Sequence, residues 1–192
     1  MTKAMKILCI CAGLFLINNI ANAQLPIPLG VATKLPIGLP IPKLLAFGNF
    51  TYAVPQSISL SNAYNYGYGF EAGVGFGLGK SMIIGSTGLI TYKPKSSLVS
   101  NYQVVPIKVG IRRYLIAGLF VNGQIGIAKE TYTNTSGNSD NHTGFLYEAG
   151  GGIKILKLIE LGAAYTGYTT GSLSGISTAK SFLIKAGIAL KI

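Results

Sequence analysis

From residue 66 onward, hydrophobic and polar side chains alternate with a period of two. Over 68–78, Tyr68, Phe70, Ala72, Val74, Phe76 and Leu78 share one face, while Gly69, Glu71, Gly73, Gly75 and Gly77 share the other. Over 182–192, Phe182, Ile184, Ala186, Ile188, Leu190 and Ile192 alternate with Leu183, Lys185, Gly187, Ala189 and Lys191. Four stretches between them repeat the pattern. Their apolar sets are Val105, Ile107, Val109 and Ile111; Leu119, Val121, Ile125 and Ile127; Phe145, Tyr147, Ala149, Ile153 and Ile155; and Ile159, Leu161, Ala163 and Tyr165. A seventh stretch, 82–92, alternates less cleanly. Period two places successive side chains on opposite faces of a β-strand, so seven two-faced strands are predicted.

The charges separate a membrane barrel from a soluble sandwich. Glu71, Glu130, Glu148 and Glu160 all fall on the less apolar face, with Lys108, Arg112, Lys154, Lys185, Lys191, Asn122 and Gln124. The rest of that face is mostly Gly and Ala, whereas a water-facing sheet surface carries large solvated side chains. Small residues with a few mutually neutralising charges suit the crowded lumen of a small closed barrel. The expected charge network comprises Glu71, Lys108, Arg112, Glu148, Lys154, Glu160 and Lys185. The connections agree, since short links at 79–81, 116–118 and 156–158 alternate with long polar ones at 93–102, 131–143 and 170–180. Outer-membrane barrels have short periplasmic turns and longer extracellular loops. Tyr68, Phe70, Tyr92, Phe145, Tyr147, Tyr165 and Phe182 lie toward the long-loop end of their strands, as an extracellular aromatic girdle would. Barrels of this kind use even strand numbers. An eighth strand must therefore precede Tyr66, with 45–55 the best candidate and 57–60 the alternative, and both chain termini fall on the periplasmic side.

Upstream, residues 1–23 read as a secretory signal: Lys3 and Lys6, an apolar stretch over 7–17, and a small-x-small site at Ala21, Asn22 and Ala23. Cys9 and Cys11 both lie within it, so the mature chain is expected to lack disulfides, thiolate metal sites and a Cys nucleophile. Residues 24–44 hold five of the eight prolines and predict an extended leader rather than helix or sheet interior. The barrel is then 45–192.

Composition supports this division. The 192 residues are 49% hydrophobic and only 11% charged, with 26 glycines and a mean hydropathy of +0.47. An average globular chain is about 25% charged and about 7% Gly. Removing Lys3 and Lys6 leaves 14 basic against five acidic residues, a net charge of +9. The bases are dispersed apart from Arg112 and Arg113, which fits an anionic lipid surface and not nucleic acid.

The segments Gly69-Phe70-Glu71-Ala72-Gly73-Val74 and Val105-Pro106-Ile107-Lys108-Val109-Gly110, with the final strand 182–192, resemble the small eight-stranded outer-membrane barrels of the OmpA transmembrane-domain and OmpX type. The outer-membrane protein β-barrel domain family is the most similar. That resemblance implies an all-β, antiparallel up-and-down transmembrane barrel in the bacterial outer membrane. It also implies insertion by the barrel-assembly machinery, which reads a last strand usually ending in an aromatic residue where this chain has Ile192. No domain is expected after that strand.

Candidate chemistry is sparse. Some small barrels are lipid-modifying enzymes, and the sole histidine, His142, stands near Asp140, Ser136 and Ser139. Nothing in that spacing fixes a nucleophile against a base, so no catalytic, metal or cofactor residue is expected. Asn134-Thr135-Ser136 matches a glycosylation sequon, and 73–77 resembles part of a dinucleotide loop but lies mid-strand and opens no helix. The expected function is structural or surface interaction through the loops 93–102, 131–143 and 170–180. Partners are outer-membrane lipid, the assembly machinery and an extracellular ligand, and the alternatives are a lipid-modifying enzyme or a narrow pore. Eight strands leave a lumen only wide enough for side chains, which disfavours the pore. A soluble lipocalin-like carrier would need an apolar interior inside a polar wall, the reverse of this pattern.

Overall fold

The computed structural model describes residues 43–96, 101–116, 118–133, 139–156, 158–170 and 178–191. The signal and most of the Pro-rich leader, at 1–42, lie outside these residues. Eight strands run in order: β1 (Lys43–Pro55), β2 (Tyr64–Leu78), β3 (Ser81–Pro94), β4 (Asn101–Tyr114), β5 (Leu119–Thr133), β6 (Ser139–Ile155), β7 (Ile159–Thr169) and β8 (Thr178–Lys191). Each pairs antiparallel with its neighbours in sequence, and β1 pairs with β8, from Leu45↔Lys191 to Pro55↔Ser181, so that the sheet closes. The chain is an all-β, eight-stranded up-and-down barrel.

The first strand is the expected 45–55 segment, entered two residues earlier. The alternative segment 57–60 instead enters a short helix, α1 (Ile58–Ala63), whose Leu60 is buried at one mouth of the barrel. The β5–β6 strands extend to Thr133 and back from Ser139, so much of the polar stretch 131–143 is paired ladder. Thr131 Oγ1 donates to Asn141 Oδ1 at 2.8 Å, and Thr133 and Ser139 share a hydroxyl contact of 3.1 Å. Thr, Ser and Asn at opposed positions bond across the ladder, which is why a sequence that reads as loop continues as strand.

Alternation sets the two surfaces. Phe70, Val74, Ile83, Val109, Ile125, Phe145, Ile184 and Ile188 stand exposed on the outer wall, while Glu71, Glu130, Glu148 and Glu160 are at most 6% exposed inside it. Strand β3 blurs the pattern because its inner face is apolar too, through Met82, Ile84, Ile90 and Tyr92. Tyr92 is a correction to the expected girdle: it is 1% exposed, inside the barrel, with its hydroxyl 2.8 Å from Ser181 Oγ.

The short turns carry the left-handed backbone. Gly79 and Gly118 have φ of +64° and +81°, and Leu156 has φ of +51°. Leu156 is 82% exposed and packs little, so its side chain only hinders this conformation. Leu156→Gly should raise stability by about 0.5–1 kcal/mol, after the entropy it adds to the unfolded chain. Gly118→Ala should lower it, because a Cβ there would lie 2.6 Å from the Lys154 carbonyl oxygen. Urea unfolding in detergent, followed by gel shift, measures both.

Candidate functional site

The lumen is stacked in layers. At mid-height, Lys108 Nζ donates to Glu71 Oε2 at 2.9 Å and to Glu148 Oε2 at 2.7 Å. Lys185 Nζ donates to the same two carboxylates, at 2.7 and 2.6 Å. The four residues come from β2, β4, β6 and β8, so alternate strands place negative and positive charges in turn around a closed, neutral ring. Alternate-strand layers are how small barrels fill their interiors.

Toward the short-turn end, Arg112 Nη1 contacts both oxygens of Glu160, at 3.2 and 2.9 Å. Its guanidinium lies over the rings of Phe47 and Phe120, at 4.7 and 4.4 Å from the centroids. Leu45, Phe47, Met82, Ile84 and Ala189 form an apolar layer at that end, with Tyr114 packed against it. Residue 73 is glycine because a Cβ there would fall 2.4 Å from the Phe47 ring and 2.6 Å from the Gly85 carbonyl oxygen. Six of the seven expected network residues thus meet. Lys154 stands opposite Glu160 in the β6–β7 register, half-buried, but does not join an ion pair among the described residues.

Toward the long-loop end the lumen is closed by tyrosines. Tyr102 stacks on Tyr132 at 4.4 Å and on Tyr92 at 5.3 Å, and Tyr64 leans on Tyr102 at 5.5 Å. Tyr168 joins them through a 3.5 Å contact from its hydroxyl to that of Tyr92, and Leu60 of α1 completes the layer. Glu130 lies in this layer, 1% exposed, and neither carboxylate oxygen has a hydrogen-bond partner among the described residues. Sequence reading placed Glu130 inside but missed the tyrosine layer. Tyr102, Tyr132 and Tyr168 share the phase of Lys108, Glu130 and Glu160, which was a usable signal. Tyr64 gave none, because a register shift between Tyr64 and Tyr66 turns it inward.

Among the described residues, cavities of about 20 and 10 Å³ lie between these layers, each about the room of a single water. The larger is bounded by Glu71, Arg112, Gln124, Glu148, Glu160 and Lys185. Neither accommodates an organic ligand.

On the outer wall, Tyr68, Phe70, Phe145, Tyr165 and Phe182 face outward toward the long-loop end, and Tyr147 faces outward half-buried, its ring lying over Gly167. Tyr52 and Tyr66 extend this band, stacked at 5.5 Å. His142 stands opposite Glu130 in the β5–β6 register, on the inner phase of β6. Ser139 has the opposite phase and is bonded to Thr133, so this serine does not approach the histidine. Ser136 lies outside the described residues.

The ion pairs generate a direct prediction. Arg112→Met removes the ion-pair partner of buried Glu160 and should cost about 3–5 kcal/mol, while Arg112→Met combined with Glu160→Leu should recover most of it. Urea unfolding of the two singles and the double in the same detergent measures the coupling.

No protein-family profile matches the chain, and no curated protein does. Solved structures do. The barrel is similar to Ail, the attachment invasion locus protein of Yersinia pestis, at 13% identity over 78% of this chain and 98% of that one, with a TM-score of 0.52. Neisserial surface protein A matches at 12% identity over 79% and 97%, TM-score 0.52. The N-terminal β-barrel domain of Pseudomonas aeruginosa OprF matches at 13% over 77% and 97%, TM-score 0.55. With eight antiparallel strands closed into a barrel, the chain has the fold of the small eight-stranded outer-membrane β-barrels.

Proposed function

We propose that this chain is a non-enzymatic bacterial outer-membrane barrel with a sealed lumen, acting as a structural or surface-interaction protein through its long-loop end. The observation that carries the reading is the inversion of its surfaces. Leucine, isoleucine, valine and phenylalanine cover the outer wall on all eight strands, while four carboxylates and two cations are buried inside and a third cation, Lys185, points in among them half-buried. Water would penalise such a wall; hydrocarbon solvates it, and the closed sheet leaves no unpaired strand edge. The similar structures support the location: one is named a surface protein and another an attachment invasion locus protein. The long-loop end then faces outward and both ends of the barrel strand order, β1 and β8, open to the periplasm. Loops 93–102, 131–143 and 170–180 are the places for an extracellular ligand, and the signal 1–23 and the assembly machinery bring the chain to the membrane.

The narrow pore is the weaker reading, since the tyrosine layer, the charge ring and the Phe47 layer block the lumen in succession. The lipid-modifying enzyme is weaker too, since Ser139 and His142 occupy opposite faces of β6.

Fractionation into the outer membrane with heat-modifiable gel migration tests the main claim; recovery as a soluble, detergent-independent protein would refute it. Planar bilayers should show no steady conductance above background. Val109→Arg and Ile125→Arg, near mid-height of the wall, should each cost about 2–4 kcal/mol, against about 0–1 kcal/mol for an arginine replacing Leu119 near the short-turn end. Unfolding from lipid vesicles reads this depth dependence.

A further inference from the structure

The paired charges inside the barrel cancel: Glu71, Glu148 and Glu160 against Lys108, Lys185 and Arg112. The excess positive charge therefore sits at the two ends. At the short-turn end, Lys43, Lys80, Arg113, Lys154 and Lys191 gather with no carboxylate among the described residues except Glu160, which Arg112 occupies. Lys43, Lys154 and Lys191 follow the inner phase of their strands, and Lys191 Nζ lies 4.3 Å over the Tyr114 ring. Lys80 and Arg113 are placed differently.

Arg113 has the outer phase of β4, directly below Ile111 and Val109 on the exposed wall, and its register partner on β3 is Ser81. Such cross-strand neighbours have Cβ atoms about 4.5–5.5 Å apart. The turn is held against β4, because the Tyr114 backbone N–H donates to the Lys80 carbonyl at 2.8 Å. The residues that carry an ammonium, a hydroxyl and a guanidinium, Lys80, Ser81 and Arg113, are thus neighbours along the lower border of the apolar wall. Neither Lys80 nor Arg113 has an ion pair among the described residues.

The wall above this spot is grooved. Gly85 pairs with Val109, and Gly123 pairs with Ile111. A Cβ built on Gly123 meets nothing within 4 Å, and one on Gly85 meets only a backbone oxygen at 3.9 Å. Two unfilled hollows therefore flank the Val109–Ile111 ridge and lead away from the cations, between exposed Ile83, Val121 and Ile125.

We infer that the β3–β5 wall binds one anionic phospholipid. Its headgroup phosphate accepts hydrogen bonds from Lys80, Ser81 and Arg113, and its acyl chains lie in the hollows beside Val109 and Ile111. Cations with an apolar groove directly above them match a phosphate attached to hydrocarbon, whereas a soluble anion would use the charges alone. The inference rests on the membrane reading above and adds a preferred lipid to it. Each Lys or Arg near a membrane surface is worth about fivefold in occupancy by an anionic headgroup.

The test is native mass spectrometry of the full barrel released from nanodiscs of equal phosphatidylglycerol and phosphatidylcholine with identical acyl chains. The intact protein should retain phosphatidylglycerol preferentially. Lys80→Gln should lower that retention about fivefold, and Lys80→Gln with Arg113→Gln at least tenfold. Gly85→Leu should lower it with every charge in place, whereas Lys129→Gln, at the opposite end of the wall, should leave it unchanged. Heat-modifiable migration verifies that each variant is folded. Equal retention of the two lipids, or a double variant indistinguishable from the parent, would overturn the site while leaving the membrane reading intact. Displacement of the retained lipid by millimolar inorganic phosphate would overturn the lipid assignment. Failure of the parent to enter nanodiscs would overturn both.

Discussion

On the membrane reading proposed above, the structure depends on one constraint: a sheet surrounded by hydrocarbon has no water to bond its backbone, so every strand must find two partners. The pairing of β1 with β8 along eleven register positions meets it. Closure at eight strands then decides the interior, because a ring of that size admits side chains but no open channel. What fills the lumen is therefore part of the fold as much as the strands are.

The charge ring shows how that interior fixes the register. Glu71, Lys108, Glu148 and Lys185 meet only if β2, β4, β6 and β8 sit at the heights observed. A slip of one residue in any strand would turn its charge toward the apolar outer side and its Phe, Val or Ile into the lumen. Buried ion pairs add little net stability compared with apolar packing, but breaking one is costly. Their contribution here is to make the alternative registers unfavourable. The tyrosine layer and the Phe47 layer supply the apolar packing above and below, with Gly73 yielding the space that the Phe47 ring occupies.

Much of this was legible in the chain. Strict alternation over 68–78, 104–114 and 182–192 marked both the strands and their faces, because an apolar outer wall and an inner face rich in small residues differ sharply in side-chain size. The first strand was harder: Leu45, Phe47 and Ala53 pack inward while Leu44, Phe50 and Tyr52 face out, so both faces look apolar. The same ambiguity in β3 assigned Tyr92 to the girdle when it belongs to the tyrosine layer. Partners within the ring were not readable at all. Alternation states which way a side chain points, but height depends on strand tilt and stagger, so Lys154 was grouped with Glu71 although it lies a layer below. The extent of the β5–β6 hairpin was hidden for another reason, since Thr131, Thr133, Ser139 and Asn141 have loop composition and bond as ladder pairs.

The claim that the apolar wall faces lipid while the charges stay inside is tested most directly by quenching along one strand. Single cysteines carrying a fluorophore would be placed at each position from 121 to 128 on β5, in a chain without Cys9 and Cys11, and reconstituted in lipid vesicles. The account predicts a period of two: strong quenching by a lipid-soluble quencher at Val121, Gly123, Ile125 and Ile127, and weak quenching at Asn122, Gln124, Gly126 and Ala128. Uniform quenching by an aqueous quencher along the strand would contradict it.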